Sequence, residues 1–574
     1  MKYNFIKRNL NINSIEDYIC KNLNLENISF LDKRANYCIS ESLITQIDNL
    51  LKKHKNSKVF TISDYDVDGI TSSCEIEEIY KHYGINNYII RIPKRSEGYG
   101  VSQVIVEEIL NDKDITLVVM LDNGIVSVEF VDLMNSKGID TLIIDHHLRR
   151  DDGKIPNATV LLDFHVNNDL SDFKHYCTAG LVAKIAESLK LPQKSMDIIY
   201  SFAAIGTVAD AVEMSEDNRL LVKKGLSTLT TQQGRTKGLY FLLKSYFALY
   251  RINEDTIGYK IGPCINAAGR LYDDGAKDVF NALKYSADGN LEEDVKRLYE
   301  INEERKKLVS YLMPIVYSYI EENNLENSTP IIVKCPESPK GIVGILAGNI
   351  TEKYNRASIV FTKTPDGNWT GSGRSVKNTV HLKDLLDSCS ELILKYGGHE
   401  CAAGITIEDK NFDKFVAKTT KLCISQNLQQ KMLNEIFYDL EISAEEIDTF
   451  AEQIEKYRPF GEGNPSPTFL VRNFYINKSA ILGNSKKTVS LTNEKGFCAL
   501  NFERNEDLDN FIKSNEGKYC DLIGTVNKNV IGKDTVTYQV LFSYITEAFS
   551  QIKSNGVVDR MKKLDDLLDS LNIF

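Results

Sequence analysis

Short apolar runs alternate with amphipathic segments from about residue 57 to residue 165, and two further helical segments follow up to residue 211. Five apolar runs predict strands: VFTIS (59–63), YIIRI (88–92), TLVVML (116–121), TLIID (141–145) and TVLLDF (159–164). Helical spacing is found in five other segments: 70–83, 102–111, 127–137, 178–190 and 196–211. Strands alternating with helices of this length predict a parallel, doubly wound sheet, in which ligands collect at the carboxyl ends of the strands.

The pattern changes further along the chain. Residues 291–323 have helical periodicity with one proline inside, and we expect a long helix that connects two lobes. A second α/β unit begins at TPIIVKCPE (329–337) and ends near YGGHECAAGI (396–405). From about residue 468, short strands and turns replace the helices, which predicts a small β-barrel.

Acidic and imidazole side chains follow three of the predicted strands. DYDVDG (64–69) supplies Asp64, Asp66 and Asp68, DNG supplies Asp122, and DHH supplies Asp145, His146 and His147. Three neighbouring carboxylates repel one another unless a cation lies among them. DYDVDG alone could be a solvated turn, but the other two strand ends at the same rim favour a metal site.

Asp210, at the end of the apolar helical segment IGTVAD, extends this set of ligands. Carboxylates with one or two imidazoles suit Mn²⁺ or Mg²⁺. So many carboxylates favour two ions that share ligands about 3.5–4 Å apart, an arrangement suited to phosphoester hydrolysis. Because adjacent side chains of an extended chain point in opposite directions, we expect one of His146 and His147 to face the metals and the other the substrate or the outer ligand shell. The spacing does not show which of the two histidines faces the metals.

Four further segments have features of a substrate site. Arg270 ends GPCINAAGR (262–270), which we interpret as a loop that approaches a ligand closely, and GSGRS (371–375) combines Ser372 with Arg374. His399 follows two glycines in YGGHECAAG, and IPKRSEGYG (92–100) is basic and rich in glycine. Taken singly, each segment is weak evidence, and a structural turn is the simpler interpretation.

Composition and net charge exclude few classes of protein. The 574 residues are 42% hydrophobic and 26% charged, as in ordinary globular proteins of several domains. The net charge of −11 argues weakly against nucleic acid, although a cation-binding carboxylate cluster would inflate it. We expect a cytoplasmic protein, since no apolar run approaches a membrane span, no signal peptide is evident, and the eleven cysteines form no CxxC pair.

Taken together, these segments resemble the DHH phosphoesterase superfamily and, within it, the RecJ family of single-strand-specific exonucleases. Ten motifs carry the resemblance in the family's order across residues 60–470: DYDVDG, IPKRSEGYG, LDNG, DHH, GTVAD, GPCINAAGR, INEERKK, GSGRS, GGHECAAG and RPFGEGNPSP. DHH alone is only three residues and is unspecific. The ordered set is specific.

The resemblance implies an architecture and a ligand set. The expected regions are an N-terminal helical extension (1–50), a DHH catalytic domain (51–225), a helical connector (226–325), a DHHA1 domain (326–425), an OB-like domain (426–550) and a helical tail (551–574). The implied ligands of two Mn²⁺ or Mg²⁺ ions are Asp64, Asp66, Asp68, Asp122, His146 and Asp210. Asp122 and Asp210 would bridge the ions.

The resemblance also implies an activity, which is 5′→3′ hydrolysis of single-stranded DNA to mononucleotides in DNA repair and recombination. Asp122, His146 and His147 would be catalytic, with His147 facing the scissile phosphate. The expected nucleotide-binding residues are Arg270, Ser372, Arg374 and His399. A helicase or a single-strand-binding protein is the expected protein partner. A channel between the two lobes would admit one strand and exclude a duplex.

Two other functions stay open at this point. Another DHH hydrolase would act on short oligonucleotides, cyclic dinucleotides or polyphosphate, and would usually end after the DHHA1 domain, without the predicted barrel at 468–546. A non-catalytic scaffold would have lost metal ligands, whereas every candidate ligand is present here.

Overall fold

The computed structural model describes residues 4–548, apart from residues 10, 33–38, 99, 151, 167–172, 247–251, 285, 288, 426–434, 484–485 and 532–534. The predicted tail at 551–574 therefore lies outside the described residues. Among the helices that are described, none has the length and apolar character to span a membrane. The described residues form two compact units, one within residues 34–212 and 217–432, the other within residues 1–33, 213–216 and 433–574.

The predicted parallel sheet is confirmed in the first unit, where five strands lie in the order β3-β2-β4-β5-β6. The elements up to residue 162 are β1 (Asn4–Lys7), α1 (Ile15–Asn22), α2 (Glu41–Lys53), β2 (Lys58–Ile62), α3 (Val67–Tyr83), β3 (Tyr88–Arg91), α4 (Gln103–Asn111), β4 (Ile115–Leu121), α5 (Val128–Ser136), β5 (Asp140–Ile144) and β6 (Val160–Leu162). All of the strand pairs in this sheet are parallel, so the strands end at the same edge.

Both faces of the sheet are covered. Along β4, Leu117 and Val119 join a core that includes residues of α2 and α3, whereas Val118 and Met120 join a core with α4 and α5. A strand that is buried on both faces is apolar at nearly every position, which is why these strands appear in the sequence as continuous apolar runs.

Helices dominate the next part of the unit. They are α6 (Thr178–Ser188), α7 (Gln193–Ala209), α8 (Glu216–Leu229), α9 (Lys237–Ser245), α10 (Glu254–Thr256), α11 (Gly262–Leu271), α12 (Gly275–Leu283) and α13 (Leu291–Glu322). A π-helical turn, Ile257–Ile261, lies between α10 and α11. The long helix expected at 291–323 is α13.

The interpretation of GPCINAAGR as a loop is wrong, because these residues form α11. Its small residues allow close packing. A Cβ added to Gly262 would lie 3.1 Å from Cβ of Ala209, and one added to Gly269 would lie 3.3 Å from the carbonyl oxygen of Tyr65. The glycines therefore bring the helix close to its neighbours, without breaking it.

A second sheet, in the order β10-β11-β9-β8-β7, completes this unit. Its elements are β7 (Ile331–Lys334), α14 (Val343–Tyr354), β8 (Ser358–Lys363), β9 (Trp369–Arg374), α15 (Leu382–Asp387), β10 (Lys395–Gly398), β11 (Ala402–Ile407) and α16 (Phe412–Ser425). Ser372 and Arg374 lie on β9, and His399 lies in the turn between β10 and β11.

The other unit is built around a seven-stranded sheet in the order β13-β14-β18-β19-β17-β16-β15. Its elements are β12 (Glu435–Tyr438), β13 (Leu440–Ser443), α17 (Ile447–Tyr457), β14 (Phe469–Tyr475), β15 (Lys478–Leu482), β16 (Thr488–Thr492), β17 (Cys498–Asn501), α18 (Glu506–Asn515), β18 (Tyr519–Ile531) and β19 (Thr535–Glu547). This sheet occupies the region in which the sequence predicts a barrel-like domain.

The N-terminal residues differ from the helical extension expected at 1–50. Strand β1 pairs in parallel with β12, and Ile15 and Ile19 of α1 share a core with Phe469 and Leu522. Helix α2, by contrast, packs in the first unit. The apolar face of α1 explains this division, because it is buried with strands that follow more than 400 residues later.

Candidate metal centre

The turn between β2 and α3 places three carboxylates at one end of the sheet. Asp66 caps α3 by accepting a hydrogen bond from the Gly69 N–H at 3.1 Å. Asp68 is fully buried and accepts hydrogen bonds from the N–H groups of Thr178 at 2.7 Å and Ala179 at 2.9 Å. These donors are at the start of α6, where the helix dipole favours a negative charge.

Gly69 is necessary for this turn. A Cβ at this position would lie 2.5 Å from the carbonyl oxygen of Asp64, closer than any side chain allows. Glycine thus lets the backbone fold back on itself and brings Asp64 beside Asp66 and Asp68.

Asp122 directly follows β4 and is buried, with a left-handed φ of 60°. This conformation is uncommon outside glycine and asparagine or aspartate, and it occurs often at functional sites. The Thr178 hydroxyl donates a hydrogen bond to Asp122 at 3.3 Å. His146 Nε2 lies 3.2 Å from the same carboxylate oxygen. The end of β4 therefore contacts the end of β5 and the start of α6.

The two histidines after β5 lie side by side, with ring centroids 4.5 Å apart. The expectation that they point in opposite directions is wrong, because the chain turns directly after the strand. Asp145 makes this turn, since its Oδ1 accepts hydrogen bonds from the N–H groups of His146 at 2.8 Å and His147 at 3.2 Å. The same oxygen lies 2.8 Å from His147 Nδ1 and orients that ring.

Asp210 caps the carboxyl end of α7 and lies 3.7 Å from His146 Nε2. Helix α7 approaches this site closely because residue 206 is glycine. A Cβ there would lie 2.6 Å from Cβ of Ala179 and 3.0 Å from Oδ1 of Asp68. The segment IGTVAD thus brings Asp210 to the strand ends through close helix packing.

Ligand atoms of these residues form three overlapping groups, in each of which all the atoms lie within 4.8 Å of one another. The groups are Asp122–His146–His147, Asp68–His146–Asp210 and Asp64–Asp66–Asp122. Asp122 and His146 each belong to two groups, whereas Asp210 belongs to one. Overlapping oxygen and imidazole ligands fit two Mn²⁺ or Mg²⁺ ions that share a ligand.

The electrostatics of the cluster also favour cations. Burial, followed by the charge of Asp66, raises the pKa of Asp64 to about 8. Burial and neighbouring carboxylates, Asp68 first, raise the pKa of Asp66, Asp122 and Asp210 as well. Carboxylates this close hold protons unless another positive charge replaces them, and a dication provides that charge.

Asp163 is a carboxylate at a fourth strand end that the sequence reasoning missed. It follows β6, is fully buried, and has a pKa raised to about 7, mainly by burial and also by Asp145. The signal was present, but the predicted strand TVLLDF ran through this residue, whereas β6 ends at Leu162.

Basic side chains lie close to this acidic cluster. Burial, followed by the charges of Arg95, Arg374 and Arg305, lowers the pKa of Arg270 to about 10. The Arg95 guanidinium lies 4.7 Å from the ring of Tyr65, which stands between Asp64 and Asp66 in the chain. The predicted Arg270 and Arg374 are therefore part of a larger basic cluster beside the carboxylates.

The other predicted substrate residues join this basic cluster. Arg374 Nη1 donates a hydrogen bond to the Ser372 hydroxyl at 2.9 Å, and Arg270 donates to the carbonyl oxygen of Gly341 at 3.3 Å. Burial and the charges of His147 and His381 lower the pKa of His399. Arg95 and Arg305 were not among the predicted site residues, although they lie in the motifs IPKRSEGYG and INEERKK.

Comparison with known families divides the chain into three matched regions. Residues 58–207 match the DHH family N-terminal domain, residues 328–425 match the DHHA1 domain, and residues 438–541 match the RecJ OB domain. The chain therefore carries DHH, DHHA1 and RecJ OB domains in this order.

Its RecJ relatives include two curated bacterial proteins. The single-stranded-DNA-specific exonuclease RecJ of Bacillus subtilis is 28% identical over 76% of this chain and 55% of its own length. The Escherichia coli protein of the same name is 28% identical over 72% of this chain and 75% of its own length. The chain thus spans just over half of the first relative and three quarters of the second.

The fold matches a solved RecJ structure. RecJ of Thermus thermophilus in complex with Mn²⁺ has a TM-score of 0.74 and is 21% identical, with 93% of this chain and 76% of that one covered. A structure of that RecJ with Mg²⁺ has a TM-score of 0.68. In the present chain, the acidic and imidazole groups described above are positioned to bind such ions.

Proposed function

We propose that this chain is a 5′→3′ exonuclease that hydrolyses single-stranded DNA to mononucleotides in DNA repair and recombination. The observation that carries this proposal is that overlapping carboxylate and imidazole ligands lie beside a basic cluster that suits a phosphate backbone. The RecJ OB match at 438–541 supports a long, unpaired substrate, because OB folds bind single strands by stacking and charge. The two RecJ relatives, which are single-stranded-DNA-specific exonucleases, support it further.

The proposed ligands of the two ions are Asp64, Asp66, Asp68, Asp122, His146 and Asp210. Two such ions, when bound, activate a water molecule and stabilise the leaving oxygen of a phosphodiester. Asp122 is the stronger candidate for a bridging ligand, since its carboxylate belongs to two of the three ligand groups. We keep Asp210 as the second proposed bridge, next to His146.

His147 is proposed to face the scissile phosphate. Burial lowers its pKa, but the hydrogen bond and charge of Asp145 outweigh this and raise the pKa to about 9. Because Asp145 holds its Nδ1, the ring is oriented to hydrogen-bond a phosphate oxygen. Arg270, Ser372, Arg374 and His399 are the proposed contacts to the nucleotide phosphates.

Location and protein partners are part of the proposal. Buried free thiols at Cys74, Cys177 and Cys264 support a reducing, cytoplasmic compartment. A helicase or a single-strand-binding protein stays a prediction, since it follows only from the family resemblance.

The first experiment is digestion of a single-stranded oligonucleotide, labelled at either end, in Mn²⁺. We expect the wild type to release mononucleotides first from the 5′ end, and Asp122→Asn to lose at least 10²-fold in rate, about the loss when one group that stabilises a transition state is removed. Asparagine tolerates the left-handed φ, so this variant keeps the backbone conformation. Ser188→Ala, at the far end of α6, is the control and should retain the wild-type rate.

Two outcomes would contradict the proposal. Intact long strands together with cleavage of dinucleotides would indicate the alternative, a phosphodiesterase of short oligonucleotides or cyclic dinucleotides. Degradation of a blunt duplex as fast as of a single strand would exclude the proposed strand selectivity.

A further inference from the structure

The segment between β3 and α4 carries Arg95, and Glu97 closes it from within. Arg95–Glu97 forms a single 3₁₀ turn. Glu97 Oε1 lies 2.7 Å from Nη2 of Arg91, at the end of β3, and Glu97 Oε2 accepts a hydrogen bond from the Lys94 N–H at 2.7 Å. The turn therefore has a defined internal geometry and is tied to the strand that precedes it.

Asp273, two residues after the end of α11, holds this turn from outside. Its Oδ1 accepts a hydrogen bond from the Ser96 N–H and its Oδ2 accepts one from the Ser96 hydroxyl, each at 2.7 Å. The Arg95 N–H also donates to the carbonyl oxygen of Asp273 at 3.1 Å. Three hydrogen bonds from two consecutive residues thus end on Asp273, and we call this contact the Asp273 clamp. An ion pair between Lys94 Nζ and Asp274, at 3.1 Å, lies beside it.

The Asp273 clamp places the Arg95 side chain beside the metal centre. The Arg95 guanidinium lies 4.7 Å from the centre of the Tyr65 ring, and Tyr65 stands between two of the proposed metal ligands in the chain. The backbone of Tyr65 also lies close to α11, since a Cβ on Gly269 would be 3.3 Å from the Tyr65 carbonyl oxygen. Direct contacts therefore join Tyr65, Arg95 and the end of α11.

Arg95 needs this restraint because of the charges around it. Arg270 lies three residues before Asp273 on the same segment. Burial first, and the charge of Arg95 next, lower the pKa of Arg270 to about 10, so the two guanidiniums repel each other. The carboxylates of the metal centre attract Arg95, but bound dications would cancel that attraction. In the metal-loaded protein, the hydrogen bonds of the clamp would then keep Arg95 in place.

We propose that Asp273 is a positioning residue, which keeps Arg95 beside Arg270 so that both guanidiniums contact the phosphates of a single strand. This inference rests on the proposed function and deepens it, because it assigns a role to a carboxylate outside the metal centre. Asp273 is itself acidic, and its charge repels DNA. A purely electrostatic role therefore predicts tighter binding when this carboxylate is removed, whereas the Asp273 clamp predicts weaker binding.

The test is binding of a single-stranded oligonucleotide, measured by fluorescence anisotropy in Ca²⁺ with the wild type and variants. Asp273→Ala should raise Kd about tenfold, the ratio expected when one charge-assisted hydrogen bond to a phosphate is lost. The slope of log Kd against log salt should fall by about 0.7, because one phosphate contact is lost. Asp273→Asn should restore most of the affinity, since an amide accepts from the Ser96 N–H and donates to the Ser96 hydroxyl.

Three further variants separate the clamp from other effects. Asp274→Ala is the matched control and should not weaken binding, because Asp274 is the adjacent carboxylate and its contact with Lys94 is an exposed ion pair. Ser96→Ala removes one of the three hydrogen bonds and should raise Kd by a smaller factor than Asp273→Ala. Asp273→Ala combined with Arg95→Ala should bind no more weakly than Arg95→Ala alone, because the clamp acts through Arg95.

Two results would overturn this inference alone, given a wild type that degrades single strands in Mn²⁺. One is an unchanged or lower Kd in Asp273→Ala. The other is an equal loss of affinity from Asp273→Ala with and without Arg95, which a merely structural role would produce together with a lower melting temperature. A wild type that degrades no single strand would instead overturn the proposed function on which the inference rests.

Discussion

At the residue scale, the acidic cluster makes the metal-free protein sensitive to pH. Asp64 has a pKa of about 8 in the folded chain, against about 4 in an unfolded one. The folded state therefore binds more protons than the unfolded state between these values, and its stability falls as the pH rises through this window. A bound dication removes the effect, because it replaces the protons.

We therefore predict opposite responses to pH with and without metal. In EDTA, the melting temperature should decrease from pH 5 to pH 8, and the decrease should be smaller in Asp64→Asn. In Mn²⁺, the stabilisation over EDTA should increase across the same range. Thermal unfolding followed by circular dichroism measures all three, and an equal slope for Asp64→Asn and the wild type in EDTA would contradict the assignment.

Lys184 illustrates a different use of buried charge. Its Nζ lies 2.9 Å from Glu187 and 2.8 Å from Asp217, and Asp217 also accepts a hydrogen bond from the Tyr176 hydroxyl. Burial raises the pKa of Glu187, but the charge of Lys184 and hydrogen bonds from Lys224 and others outweigh this and lower it to about 2. This network ties α6 to α8, since the lysine and the two carboxylates lie on these helices.

Loss of the buried lysine should destabilise the fold. Lys184→Met removes the buried cation that lies between Asp217 and Glu187, leaves Glu187 only the more exposed Lys224, and should cost about 3–5 kcal/mol of unfolding free energy. Lys224→Met is the matched control, because Lys224 contacts Glu187 at 2.7 Å but is 43% exposed, so about 0–1 kcal/mol is expected. Urea denaturation measures both, and similar losses in the two variants would contradict this account.

At the scale of elements, Gly341 sets the distance between α11 and the segment that leads into α14. A Cβ at Gly341 would lie 2.1 Å from the carbonyl oxygen of Arg270. Gly341→Ala should therefore lower the melting temperature and reduce nuclease activity, because it moves Arg270 away from the other basic residues. Gly348→Ala, in open space within α14, should instead stabilise the helix by up to about 1 kcal/mol. Scanning calorimetry of both variants tests the contrast, and two shifts of the same sign would refute it.

The helices and strands also show which parts of the fold could be predicted from the sequence pattern. The strands of the parallel sheet were predictable because burial on both faces leaves continuous apolar runs. Helix α11 was not, because glycine and asparagine favour turns by local preference. Here Gly262 and Gly269 instead serve contacts with Ala209 and Tyr65 that only the tertiary fold creates. The prediction that the side chains of His146 and His147 point in opposite directions was wrong for a similar reason. The turn that brings them together depends on hydrogen bonds from their N–H groups to Asp145.

At the scale of the whole molecule, the two ends of the described chain depend on each other. Strand β1 pairs with β12, and apolar residues of α1 pack with the strands of the second unit. Neither the strand pairing nor the packing of α1 can be predicted from the sequence, because no local pattern indicates which apolar surfaces will pack together.

This arrangement predicts how truncation behaves. A variant that ends at residue 425 keeps β1 and α1 without their partners and should expose apolar surface, whereas a variant with residues 39–425 loses both sides together. We expect stronger binding of the dye ANS and more aggregation for residues 1–425, as measured by fluorescence and light scattering. Equal dye binding by the two variants would show that the N-terminal residues need no partner.

The pairing of β1 with β12 also has a consequence for biosynthesis. A ribosome releases β1 first, and about 400 residues separate it from its partner strand, so at 5–20 residues per second roughly 20–80 s pass before β12 exists. Throughout that time, Ile15 and Ile19 lack the core in which they are finally buried. The N-terminal segment is therefore where we expect a chaperone to hold the nascent chain, because the second unit can close only after its late strands have been synthesised.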